Sequence, residues 1–433
     1  MSKKEAFKAV SLLSAATFLG AGCAFLTQVI LARKLGSAAF GTFSAALTTV
    51  TLLTPLAGFG ISQFWLKAFG QEGWAARRWF QSSFSFIVLS TILVLTTLIA
   101  WSFVGPHDGV TSFLVVTLSV HVLGQAMLEL VSSKLQLEER YLRLAFWQLL
   151  PHLMRLVLIM LLAFVFSKLT DGKVVAFVYA AISIIIAIMG SIQLKNMWNG
   201  KFDLKGHPSG ASDEERAKPS MASVVSEAWP FGMAGLFHLI YFQSSIILLK
   251  YITGPAAAGM YNVALTVMTA VYLLPSVIFQ KYLLPKTHRW ANHDRLRFYQ
   301  VYRQGNLLML VLGALAMICI WASAFWAIPI LFGAPYRGAV LLLNILAVSA
   351  PIFFIAISVG STLVTQDHMR MKVRYMGFVA ILNVFLNLVL IPRFGAAGSA
   401  IATVVSNLAL LISYYNFSQK IVFHSELKAA QVS

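Results

Sequence analysis

Acidic side chains are scarce in this chain: 15 aspartates and glutamates stand among 433 residues, against 33 lysines and arginines. Charge of either sign amounts to 11% of the sequence, whereas hydrophobic residues make up 59%. A water-soluble domain is about one quarter charged, so this balance excludes one of such length. Cysteine is almost missing. Cys23 and Cys319 both fall inside apolar runs, and no disulfide framework is expected. No group of His, Cys, Asp and Glu has metal-ligand spacing, and no Gly-x-x-x-x-Gly-Lys-Ser/Thr loop is present, which argues against a metal centre and ATP hydrolysis.

Long hydrophobic runs are what the chain does have. Each needs about 20 residues to cross roughly 30 Å of hydrocarbon. Twelve such runs lie near 9–32, 40–66, 80–103, 110–133, 144–167, 174–194, 223–249, 257–280, 305–330, 339–365, 375–392 and 396–416. The first follows Lys3, Lys4 and Lys8 but lacks a small-residue cleavage pattern, so it is expected to remain as a helix. The chain therefore reads as an all-α integral membrane protein of about 12 transmembrane helices.

The formal charge of +18 is distributed by loop. The N-terminus, the even-numbered connections and the C-terminal tail hold 25 lysines and arginines, and the odd-numbered connections hold 7. This asymmetry predicts that both termini of a multi-pass protein are cytoplasmic. Basic loops with that role do not imply a nucleic-acid partner. The remaining cation, Arg155, falls in mid-span.

Residues 200–222 contain the longest polar stretch and predict a cytoplasmic linker between an N-terminal lobe, 1–199, and a C-terminal lobe with a short tail, 223–433. Each lobe would hold six spans. A sequence frame repeats between them: Gly36-Ser37-Ala38-Ala39-Phe40-Gly41-Thr42-Phe43 matches Gly254-Pro255-Ala256-Ala257-Ala258-Gly259-Met260-Tyr261, 218 residues later. Either chance similarity of small apolar hairpins or a duplication accounts for it. Equal spacing and six spans per half favour two pseudo-repeated lobes around a central cavity. Within 281–304, Leu296, Tyr299 and Tyr302 recur among basic residues, which suggests an interfacial helix.

Polar groups inside the spans are the candidate site. Gln148, His152 and Arg155 share a face of span five, in which Pro151 removes a backbone hydrogen bond. His121, Gln125 and Glu129 share a face of span four. Folding about residue 139 brings Glu129 to the depth of Gln148 and His152, and His121 towards Arg155. The stripes are then either a cationic, hydrogen-bonding wall or a mutually neutralising structural pair, Glu129 with Arg155 or His152. Glu129 and His121 are candidates for proton or ion coupling. Arg33, Lys34 and Lys250 close their spans beside the repeated frame, where snorkelling also explains them. His238 and Gln243 lie in span seven, and Asn383 and Asn387 pair at helical spacing, which suits helix packing.

Three segments carry a resemblance. Leu331-Phe332-Gly333-Ala334-Pro335-Tyr336, the run from Asn383 to Thr403 through Ile391-Pro392-Arg393-Phe394-Gly395, and the opening Leu31-Ala32-Arg33-Lys34-Leu35-Gly36 with Gly58-Phe59-Gly60-Ile61 resemble the polysaccharide and oligosaccharide-lipid flippases of the MOP (multidrug/oligosaccharidyl-lipid/polysaccharide) superfamily. The resemblance implies a MOP/MATE-like fold and no enzyme activity. It implies movement of an undecaprenyl-diphosphate-linked oligosaccharide from the cytoplasmic to the periplasmic leaflet, for O-antigen, capsule or exopolysaccharide assembly. Membrane lipids and polysaccharide polymerase or assembly proteins are the partners implied. No cofactor is implied, though coupling to a proton or sodium gradient stays open. Arg33, Lys34, Arg155 and Lys250 become candidate diphosphate contacts, with His152, Gln148 and Gln243 as hydrogen-bonding neighbours. Gln243 stands where relatives often carry an acid, a departure that weakens cation coupling there. A cation-coupled multidrug exporter of the MATE type remains the alternative, and a membrane-embedded glycan transferase or polymerase would need larger outer loops.

Overall fold

The computed structural model describes residues 3–165, 171–199, 201–206, 218–276, 295–363 and 369–423. Most of the expected linker, and residues 281–294 of the expected interfacial stretch, lie outside these. Among the described residues the chain is helical, with no strand. The helices are α1 Lys3–Leu53, α2 Ile61–Glu72, α3 Phe80–Val104, α4 Gly109–Ser119, α5 His121–Leu137, α6 Tyr141–Met160 and α7 Gly172–Trp198. They continue as α8 Met221–Ile252, α9 Pro255–Ser276, α10 Arg295–Phe332, α11 Ala339–Ala347, α12 Ser349–Thr362 and α13 Met369–Phe417.

Among the described residues, eight helical stretches are long and apolar enough to span a membrane, or nine with the α11–α12 pair, bent by 42°, taken as one. The first stretch, Ala9–Val104, runs through three expected spans, and the last, Arg370–Val422, through two. A helix thus answers each of the twelve hydrophobic runs. The fused helices turn at glycine: α1 breaks at Gly36 (φ 74°, ψ 171°) and α13 at Gly395 (φ 57°, ψ −137°). Both values lie in territory that L side chains avoid.

Span two differs from its expected extent, 40–66. Its helix ends at Leu53 and passes through a short turn, Thr54–Leu56, before α2 begins at Ile61. Pro55 supplies no backbone donor, and Gly58, Phe59 and Gly60 all take positive φ (86°, 38° and 80°), so the helix cannot continue. Hydropathy averages across such a break because the residues around it stay apolar. From Arg295 onward the basic stretch is the start of α10, and its buried Phe298 and Tyr302 pack against Phe423.

The described residues form two compact units, 1–30 with 42–239, and 31–41 with 240–433. In the first, an aromatic core joins α2, α3 and the segment after α7. Trp65 is fully buried and donates its indole N–H to Ser83 Oγ at 3.2 Å, while Phe69 packs tilted against Phe80 and edge-on against Phe202. Residues such as Leu93, Phe103 and Val104 leave α3 exposed and apolar, as a lipid-facing surface requires.

In the second unit the two copies of the repeated frame meet. A Cβ on Gly41 would overlap the Pro255 carbonyl, and one on Gly259 would overlap the Ser37 carbonyl. Ser37 and Pro255 are themselves equivalent positions of the frame, so the contact is reciprocal. Gly36 and Gly254, also equivalent, both have positive φ (74° and 106°). Such a crossing is open only to residues without side chains.

Candidate functional site

The first unit encloses a cavity of about 700 Å³ in an otherwise apolar bundle. Its walls come from α1, the broken part of span two, α5, α6 and the first half of α8. The break matters here: backbone that has left the helix is tolerated at membrane depth where it lines a cavity. Gly60 fits because α8 passes so close that a Cβ there would meet Ala228 O and Phe231 Cβ at 2.8 Å. Immediately after the break, Ser62 and Gln63 line the cavity.

Glu129, Gln148 and His152 line this cavity together, joined by His238. Ser62 stands beside Glu129 on the cavity wall. Glu129 forms no ion pair among the described residues, so the structural-pair alternative with Arg155 or His152 is not realised. The α1 face opposite carries Gly20, where a Cβ would stand 3.4 Å from the His152 ring, so α1 and α6 approach closely beside Pro151.

Arg155 lies elsewhere. Its Nη2 stands 3.4 Å from His121 Nδ1, and its guanidinium sits 4.6 Å from the centre of the Tyr179 ring. His121 is buried and also contacts Ser183 Oγ at 2.9 Å and Gln125 at 3.1 Å. These groups bound a separate hollow of only about 10 Å³. Arg155 Nε is buried without a hydrogen-bond partner, so the ring face of Tyr179 and the His121 nitrogen are what hold the charge. The expected cationic wall is therefore corrected: among the described residues lining the large cavity there is no lysine or arginine.

The comparison that decides the family spans most of the chain. Residues 6–289 match the family described as Polysaccharide biosynthesis protein. The chain belongs to that family. This polysaccharide biosynthesis protein is 20% identical over 400 residues to the uncharacterized membrane protein MJ1375 of Methanocaldococcus jannaschii, covering 90% of this chain and 92% of that one. Its fold resembles the lipid II flippase MurJ in an inward closed conformation, with TM-score 0.71 at 13% identity over 94% of this chain and 87% of that one. It also resembles a MATE transporter in complex with MaD3S (TM-score 0.64, 14% identity, 98% and 97% covered). A third likeness is to a MOP superfamily transporter from Pyrococcus furiosus (TM-score 0.63, 13% identity, 96% and 95% covered). The helical fold of this polysaccharide biosynthesis protein is the one these solved structures share.

The remaining candidates of this family member belong to the second unit. Arg33 donates from Nη2 to the Ile330 carbonyl, Lys250 lies 4.9 Å from the centre of the Tyr251 ring, and Lys34 and Gln243 fall in the same unit. Asn383 and Asn387 sit in a fully buried network. Asn387 Nδ2 donates to Asn383 Oδ1 (3.0 Å), Asn383 Nδ2 to Ser406 Oγ (3.1 Å), and Ser399 Oγ to Asn387 Oδ1 (2.6 Å). Ser244 and Ser245 reach the same two amides from α8 at 3.3 Å, tying three helical segments together. Sequence reasoning missed Ser62, Gln63, Gln136 and Thr17 as cavity residues. The Pro55 and Gly58-Phe59-Gly60 cluster was the available signal for the first two; Thr17 and Gln136 had none beyond helical spacing.

Proposed function

We propose that this protein is a flippase that moves an undecaprenyl-diphosphate-linked oligosaccharide from the cytoplasmic to the periplasmic leaflet by alternating access, for surface polysaccharide assembly. The observation that carries the reading is a polar cavity of about 700 Å³, lined by Glu129, Gln148, His152 and His238, inside a membrane helix bundle of a polysaccharide biosynthesis family member. Hydroxyl-rich sugars suit amide, imidazole and hydroxyl walls, which exchange hydrogen bonds without fixed counter-charge. Arg33, Lys34 and Lys250 supply the candidate cations for the diphosphate, with Gln243 in the same unit as a hydrogen-bonding candidate. Glu129, next to Ser62 and with no cation against it, is the candidate proton carrier, and His121 is the second. The protein sits in the cytoplasmic membrane with both termini inside, and a polymerase or assembly protein receives the flipped lipid.

One observation favours a second reading. The charged group on the cavity wall is a carboxylate, Glu129, which suits the cationic substrates of a MATE-type exporter. Purified protein in liposomes separates the two. Flippase action exposes a lipid-linked oligosaccharide to an external glycosidase; export action instead moves a cationic dye against a proton gradient. Dye transport without lipid exposure would overturn the flippase reading.

A further inference from the structure

A second hollow, of about 580 Å³, opens in the first unit where the α5–α6 turn meets the segment after α7. Lys134, Arg140, Arg143 and Lys201 line it, with Asp203. Two of the cations are already engaged: Lys134 and Arg140 share the buried carboxylate of Glu138, at 3.1 and 3.4 Å. Asp203 is taken by Lys205 at 2.8 Å. Arg143 and Lys201 form no side-chain hydrogen bond or ion pair among the described residues, so the hollow presents one guanidinium fork and one ammonium to whatever enters it.

The chain builds this hollow with its core. After α7, Phe202 and Leu204 turn inward and are 8% and 5% exposed. Phe202 packs edge-on against Phe69 and Trp74, with ring centres 5.4 and 5.7 Å apart. The Lys205 N–H donates to the Leu137 carbonyl at 3.2 Å, stitching the segment to the end of α5. Lys201 is thereby held on the wall it shares with Arg143. Nearby in sequence, Leu142, Phe146, Ile192 and Trp198 are 70%, 58%, 59% and 49% exposed, an apolar flank on which acyl chains can lie.

We infer that this hollow binds a phosphoryl group, carried either by an acidic phospholipid headgroup or by a soluble phosphate ester. A guanidinium matches two phosphoryl oxygens at once, and an ammonium supplies a compact charge beside it. Basic pockets between transmembrane helix ends are where such headgroups settle. The site is distinct from the large cavity, and its test does not depend on transport.

The test uses the full-length protein with cardiolipin, phosphatidylcholine and inorganic pyrophosphate as probes, read by native mass spectrometry. Arg143→Gln with Lys201→Gln is expected to weaken cardiolipin or pyrophosphate binding about thirtyfold, the loss due to two cations near a membrane surface. Arg143→Lys is expected to recover part of it, and Arg77→Gln with Arg374→Gln to leave it unchanged. Cardiolipin retained against excess pyrophosphate identifies the lipid as the source, and displacement by pyrophosphate identifies a soluble ester. Binding of both anions at wild-type strength in the Arg143/Lys201 variant, or equal loss in the Arg77/Arg374 control, overturns the inference.

Discussion

Replacing Gly41 by alanine tests the glycine crossing of the repeated frame. A methyl there would overlap the Pro255 carbonyl oxygen and stand 2.8 Å from Pro255 C and from Gly259 N. Ordinary contact begins near 3.4 Å. Backbone, not a flexible side chain, is what must move, and overpacking of this kind costs about 1–3 kcal/mol. Gly259→Ala meets Ser37 C at 3.1 Å and Gly41 N at 3.2 Å besides overlapping the Ser37 carbonyl, so a similar loss is expected. The two substitutions act on one contact, and separating the helices for the first makes room for the second. The double variant should therefore lose less than the sum of the single variants, by about 0.5–3 kcal/mol of coupling. Gly22→Ala is the control: nothing lies within 4 Å, and a helical alanine gains about 1 kcal/mol over glycine. Thermal unfolding in detergent, followed by tryptophan fluorescence, gives the five midpoints, wild type included. Additive losses, or Gly41→Ala as stable as wild type, would refute the crossing.

Three further outcomes follow from the same geometry. Asn387→Ala removes the acceptor of Ser399 and Ser245 and leaves buried hydroxyls unpaired, which should cost about 1–3 kcal/mol in unfolding experiments. Arg155→Met loses a desolvated cation–π contact of about 2 kcal/mol but relieves the unpartnered Nε, worth about 1–3 kcal/mol, so stability should stay near wild type; a collapse in membrane abundance would contradict that. The hydrogen bond from Lys205 holds the Asp203 carboxyl below its usual pKa. A depressed folded pKa contributes stability above the ordinary value, near 3.9, that is lost as pH falls through the folded one. Unfolding midpoints of wild type and Asp203→Asn should accordingly converge in acid.

Much of the fold was legible because a bilayer imposes one rule: helices long and apolar enough to cross it. A helix answers each of the twelve runs, the one at 40–66 broken after Leu53, and hydropathy finds them without knowing any contact. The break at Pro55–Gly60 escaped because its neighbours are as apolar as a span, although its proline and paired glycines are helix-breaking residues. For the site, helical spacing correctly grouped Glu129 with Gln148 and His152 on one cavity. It also set His121 beside Arg155, which stand 3.4 Å apart, but put both on one wall with Glu129, and the reason that fails is axial distance. Seven residues return to the same face but advance about 10 Å along the helix, at 1.5 Å per residue. That shift carries Arg155 past the large cavity and against Tyr179 of α7, a partner that no pattern within α5 or α6 reveals. The Asn383–Asn387 pair was visible as spacing, whereas Ser399 and Ser406 read as ordinary small residues until the turn at Gly395 folds them back.

The measurement that bears most directly on the proposed function is surface glycan assembly in a host that depends on this protein, at matched membrane abundance. Glu129→Gln and the pair Gln148→Ala with His152→Ala alter the cavity wall, while Lys67→Gln breaks only an exposed ion pair with Glu227 at 2.8 Å. The flippase reading predicts that both cavity variants accumulate lipid-linked oligosaccharide on the cytoplasmic side and that Lys67→Gln assembles glycan normally. Normal glycan in both cavity variants would contradict it.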